Sequence, residues 1–74
     1  MPEGFDNEKM VHKANQIALF FASYPHDEAV AGVTDHLRKY WVPDMRRQII
    51  EYVRGGGQGL HELVPEAVER LLVK

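Results

Sequence analysis

The sequence predicts an all-α domain, a small bundle of three main helices plus a short C-terminal fourth helix. Three observations lead there. Apolar residues recur with a 3.6-residue period in successive segments. Pro25, Pro43, Gly55-Gly56-Gly57 and Pro65 punctuate the chain between those segments. The two-residue alternation of a half-buried strand occurs nowhere, and neither does an Asn-Gly or Asp-Gly hairpin turn.

In the first helix, Met10, Ala14, Ile17, Ala18 and Phe21 fall on one stripe. Asp6 or Asn7 is placed to accept the unpaired amide protons of its first turn, and Glu8 suits the positive pole of the helix dipole. The helix should end near Ser23, because Pro25 pushes Tyr24 out of the α region. Leu19 and Phe20 widen the stripe, so this helix is either buried on two sides or meets a partner. Residues 1–6 read as a flexible lead. Pro25 opens the second helix, with Asp27 and Glu28 in its first turn and Val30, Val33, Leu37, Tyr40 and Trp41 as its apolar stripe. Pro43 ends that helix and opens the third, whose stripe is Met45, Ile49, Tyr52 and Val53, with Ile50 to one side. The glycine triplet stops it. Leu60 to Leu63 form at most a turn, and Pro65 starts the last helix, with Val68, Leu71 and Leu72 as its apolar face.

The chain has 74 residues and no cysteine, so it is one domain without a disulfide or a thiolate metal site. Apolar residues make up 45% and charged residues 27%, ordinary values that exclude disorder by composition. A chain this short buries only about 60% of its unfolded surface. It must pack economically or cover the remainder with a partner. The N-terminus carries an acid where a secretory leader carries bases, and the longest apolar run, Ile17 to Ala22, falls far short of the roughly 20 residues of a membrane span. The expectation is a cytoplasmic protein that does not enter membranes. Charge is uneven. Residues 1–35 hold two lysines against six carboxylates, residues 36–54 five cations against two carboxylates, and residues 55–74 two cations against three. The middle is a basic island, which serves either as a solvated face or as a docking surface.

Candidate chemistry is sparse. His12, His26, His36 and His61 do not form a His-x-x-x-His pair, and no metal site is expected. Ser23 and Thr34 are the only serine and threonine, and neither has a nucleophile-elbow context, so no catalytic residue is assigned. Gly55-Gly56-Gly57-Gln58-Gly59 lacks the strand or the Gly-Lys-Ser/Thr context of a nucleotide loop and reads first as a helix C-cap. The alternative is a phosphate cradle of Gly56, Gly57 and Gly59 with Arg46, Arg47 and Arg54 supplying charge. The densest feature is the stretch from His36 to Arg47, where aromatics and cations alternate around a helix–Pro–helix corner. Split by face, Leu37, Tyr40 and Trp41 belong to the core and Arg38, Lys39, Arg46 and Arg47 to solvent or a partner. A helix-turn-helix DNA reader is the weaker alternative, since the corner is broken by proline and the net charge is −2.

The same residues resemble a known family. Lys13 to Phe21 contains Ala-Asn-Gln-Ile followed by Phe-Phe, similar to the opening of the small delta subunit of NAD-dependent, molybdenum- or tungsten-containing formate dehydrogenases. His36-Leu37-Arg38-Lys39-Tyr40-Trp41-Val42-Pro43-Asp44-Met45-Arg46 resembles that family's most specific segment, His-Leu-Arg-x-Phe/Tyr-Trp-x-Pro-x-Met-Arg. Gly56-Gly57-Gln58-Gly59-Leu60 with Leu63-Val64 is similar to its glycine segment, from which Glu62 departs where proline is common. The match runs in order over residues 10–72. The resemblance implies a non-catalytic subunit that accompanies the catalytic alpha subunit and supports its assembly, stability or cofactor insertion. The bis-molybdopterin guanine dinucleotide, iron–sulfur clusters, FMN and NAD are then expected in the partner subunits and none in this chain. The expected partner surface comprises Asn15, Gln16, His36, Arg38, Lys39, Trp41, Pro43, Arg46 and Arg47. The alternative is a chaperone that holds a guanine nucleotide or the pterin dinucleotide through the arginines and the glycine loop. An isolated chain is expected to be able to dimerise through the same surface.

Overall fold

A computed structural model describes residues 6–72. Residues 1–5 of the predicted flexible lead lie outside the described residues, and Asp6 caps the first helix. All regular structure among the described residues is helical: α1 (Asn7–Phe21), α2 (His26–Tyr40), α3 (Pro43–Arg54) and α4 (Leu63–Leu72). This is the predicted bundle of three main helices and a short fourth.

Local chemistry explains the boundaries. The Asp6 carboxylate accepts the Lys9 amide proton at 2.9 Å at the start of α1. Pro25, with ψ at 149°, leads into α2 without a side-chain cap, so the dipole of the first turn is met by Asp27 and Glu28. Trp41 and Val42 are extended, which Pro43 favours for the residue before it, and Pro43 is the first residue of α3. The Gly55, Gly56 and Gly57 amides take up the last carbonyls of α3. The start of α4 differs from expectation. The helix begins at Leu63, and Pro65 sits inside the first turn, where an absent N–H costs no intrahelical bond. His61 supplies the cap instead. Its Nδ1 accepts the Leu63 amide proton at 3.1 Å, and its carbonyl accepts from Val64 at 2.9 Å.

The core is built around α2, which packs against both α1 and α4. Ala29, Val30, Val33, Thr34 and Leu37 of α2 are buried against Met10, Ala14 and Ala18 of α1 and against Leu63, Val64, Ala67 and Val68 of α4. Ile49 adds the only fully buried side chain of α3, which rests on α4 and α1. The buried set is mostly Ala and Val, so the helix axes approach closely and a short chain reaches interior density with few large residues. Thr34 is the one buried polar residue among those described. Its hydroxyl proton is shared between the carbonyls of Val30 (2.9 Å) and Ala67 (3.1 Å), tying α2 to α4.

Three expectations for the core are corrected. Tyr40 is 71% exposed, while Trp41 is only 6% exposed. The backbone leaves the helix between them, so Trp41 turns inward as the chain extends and Tyr40 stays outside, its ring 4.8 Å from that of His36. Ile50, read as surplus, is half-buried against the core. Leu72 is half-exposed, and the face of α4 is carried by Leu63, Val64, Ala67 and Val68.

Two features depend on single residues. A Cβ at Gly32, in the middle of α2, would stand 2.5 Å from Cδ1 and Cε1 of Phe21, so glycine is what lets the Phe21 ring lie across α2. At the α2–α3 corner, Arg46 reaches back from the first turn of α3. Its Nη1 donates to the carbonyls of Arg38 (3.1 Å) and Trp41 and lies 3.5 Å from that of Leu37. A guanidinium here satisfies orphan carbonyls and offsets the negative pole of α2. Gly32→Val should therefore destabilise the fold by about 1–3 kcal/mol, the usual cost of overpacking. The cost should largely vanish in a Phe21→Ala background, as read by chemical denaturation of the four members of the cycle. Arg46→Ala should cost about 1–3 kcal/mol through unpaired carbonyls. Arg47→Ala, which removes only an exposed pair with Asp44, should stay within about 0.5 kcal/mol of the parent.

Candidate docking surface

The corner from His36 to Arg47 does not present one continuous cationic face. Arg46 is held by the carbonyls at the end of α2. Lys39 pairs with Asp35 at 3.1 Å across one turn of α2, and Arg47 pairs with Asp44 across one turn of α3, all four side chains being exposed. Arg38 points towards α4, where its Nη2 lies 3.4 Å from the Arg70 carbonyl. Pro43 is exposed as the first residue of α3, and the Trp41 ring is almost wholly internal. Of the residues expected to meet a partner, Trp41 and Arg46 thus support the fold itself.

Asn15 has an internal task as well. Its Nδ2 donates to the Gly59 carbonyl at 3.0 Å, and its Oδ1 accepts the His61 amide proton at 2.7 Å. One side-chain amide on α1 thereby clasps the glycine loop ahead of α4. Tyr52 adds a second tie, its hydroxyl donating to the Gln58 carbonyl at 2.6 Å. Gly57 and Gly59 have φ of 63° and 85°, a region side-chain-bearing residues avoid, which explains glycine at these positions. The loop lies at the C-terminal end of α3, and Arg46 and Arg47 lie at its N-terminal end. Eight residues of helix separate Arg46 from Arg54, a rise of about 12 Å. The cradle of Arg46, Arg47 and Arg54 with Gly56, Gly57 and Gly59 is therefore split between two ends of one helix, and Arg46 would have to leave the α2 carbonyls to join it.

The structure assembles a different surface from part of the predicted set. A groove of about 560 Å³ runs between α1 and α2 and reaches the start of α3. It is lined by His12, Lys13, Gln16, Ile17, His36, Tyr40, Trp41 and Met45. Gln16, His36 and the exposed edge of Trp41 meet here. The close turn at Pro25 folds α2 back along α1, so the first half of α1 lies beside the last half of α2. His12, Lys13, Ile17, Tyr40 and Met45 were not singled out as partner residues by sequence. Their signal was present in the spacing His12–Gln16 and His36–Tyr40, four residues apart on facing helices.

Phe20 extends the same line of α1 by another turn. It is 69% exposed and Leu19 is 59% exposed. Phe20 packs edge-on to Phe21, with ring centroids 5.0 Å apart, and Phe21 contacts Tyr24 at 5.6 Å. The end of α1 therefore carries two large apolar side chains open to solvent, about 100° apart around the helix, of which Phe20 is braced by Phe21. Among the described residues, no group of three or more His, Cys, Asp or Glu side chains is placed to hold a metal ion, and no helix is long and apolar enough to cross a membrane.

Comparison with known proteins bears on this architecture. No curated protein and no solved structure matches the chain. A family model described as the NADH-dependent formate dehydrogenase delta subunit FdsD matches residues 9–68, from the first turns of α1 to the core-facing part of α4. That span contains both the α1–α2 groove and the glycine loop, and it makes the chain a member of the formate dehydrogenase delta subunit family.

Proposed function

We propose that this chain is a non-catalytic accessory subunit that docks on the catalytic alpha subunit of an NADH-dependent formate dehydrogenase in the cytoplasm and supports its assembly, stability or cofactor loading. On this reading the bis-molybdopterin guanine dinucleotide, iron–sulfur clusters, FMN and NAD belong to the partner subunits. The observation that carries the reading is the solvent-exposed pair Leu19 and Phe20 at the end of α1. Two large apolar side chains on neighbouring faces of one helix end, one of them braced by the half-buried Phe21 ring, are costly to leave in water and suit a docking surface. Gln16, one turn before Phe20 on α1, lines the groove together with His36, and Lys39 and Arg47 are exposed charges suited to an interface rim.

Phe20→Glu tests the reading without touching the core. The variant should keep the parent's stability to within about 0.5 kcal/mol, as expected of an exposed position. Its affinity for the alpha subunit should fall about thirtyfold, the scale of a lost aromatic anchor. Co-purification with the alpha subunit and the cofactor content of the recovered enzyme measure this. Unchanged yield and cofactor content would refute the assignment. Arg46 is unsuited to such a test, because its removal also loosens the α2–α3 corner.

A further inference from the structure

We propose that His61 makes the start of α4 and the glycine loop before it a proton-sensitive joint, fastened while its imidazole is neutral and released when the ring takes up a proton. The Leu63 amide can only donate, so Nδ1 of His61, 3.1 Å away, offers it a lone pair. The neutral ring then carries its single proton on Nε2. A proton taken from solvent at Nδ1 removes that lone pair and sets one N–H against another. It also places a positive charge at the positive pole of α4. Both changes act on the same turn, and the ring is half-buried, within reach of solvent protons.

The joint depends on this one residue. Of the first three residues of α4, Pro65 has no amide proton, and those of Leu63 and Val64 both go to His61, the second to its carbonyl at 2.9 Å. His61 in turn donates its own amide proton to Asn15 Oδ1 at 2.7 Å, and the same Asn15 side chain holds the Gly59 carbonyl. A change at the ring therefore passes to both the helix start and the loop. Nothing nearby offsets a charge there. The side chain that reaches His61 from α1 is the neutral Asn15. From α3 the Tyr52 hydroxyl is bound to Gln58, and on α4 Glu66 is engaged with His26 and Arg70. Glu62, beside His61 in the chain, is exposed, and among the described residues no carboxylate forms an ion pair with His61. His26 responds in the opposite sense. Its Nε2 lies 2.8 Å from Glu66 Oε1, so a proton there strengthens a tie between α2 and α4. Mild acid thus opens the joint while the helix stays on α2.

The test is nuclear magnetic resonance on the full chain from about pH 7.5 to about pH 5, across the ordinary histidine range. At the upper end, ring nitrogen shifts of His61 should show the Nε2–H tautomer. Amide exchange, referred to the intrinsic rate at each pH, should lose about fivefold protection at Leu63 and Val64 on acidification, the scale of one lost hydrogen bond. Val33 and Leu37, in the middle of α2, should keep theirs. His61→Asn places an oxygen acceptor that does not titrate in this range near the position of Nδ1, and should hold the joint at every pH. His26→Gln should leave the acid loss at Leu63 intact. An Nδ1–H tautomer at neutral pH, or unchanged protection at Leu63 in the parent, would overturn the proposal. So would an acid loss that persists in His61→Asn. If that variant does not fold, the tautomer and the exchange of the parent decide the matter alone.

Discussion

The close packing of α2 between α1 and α4 is the constraint on which the remainder of the structure depends. A short chain has little interior to distribute, and here most of it is placed around one helix. The facing positions are Ala14, Ala18, Ala29 and Ala67 with Val30, Val33, Val64 and Val68, residues small enough to bring backbones together without voids. Close approach has a polar consequence. Thr34 is near enough to α4 for its hydroxyl to share a proton with the Ala67 carbonyl, so the only buried polar group described is satisfied within the core. A larger side chain at the alanine positions would separate the helices and strand that hydroxyl.

Around this spine, two polar side chains do what a larger core would otherwise do. Arg46 closes the α2–α3 corner by taking up carbonyls at the end of α2, and Asn15 fastens the glycine loop to α1. Each joins segments that share little apolar contact. Each also belongs to a motif that looked from sequence like a binding element. The positions the family pattern singles out thus divide into residues that shape the surface and residues that form it. Trp41, Arg46 and Asn15 are largely of the first kind, and Gln16 and His36 of the second.

Burial also sorts the apolar residues that seemed surplus. Ile50 joins the margin of the core, whereas Leu19 and Phe20 stay in water. Phe21 links the two regimes. Its ring lies over Gly32 on the inside and braces Phe20 on the outside, so the exposed patch is held by the same contact that packs α1 on α2. A pre-shaped patch of this sort loses less side-chain freedom on association than a flexible one. This favours a docking role for a chain whose own interior is nearly used up by folding.

Sequence alone determined the helical class, the helix order, most boundaries and the family pattern, because these depend on local signals. Periodicity, proline and glycine act within a few residues of where they stand. The start of α4 escaped this reading because His61 is an uncommon cap, and Tyr40 did so because the helix ends between it and Trp41. Tertiary structure alone decided which cations and polar groups are internal. Asn15 finds its partners 44 and 46 residues away, and Arg46 finds carbonyls across a corner that exists only after α3 has turned back. The groove is likewise a product of pairing, since His12 and Gln16 meet His36 and Tyr40 only once α2 folds along α1. Spacing on one helix predicts a face; which two faces meet is set by packing distant parts of the chain.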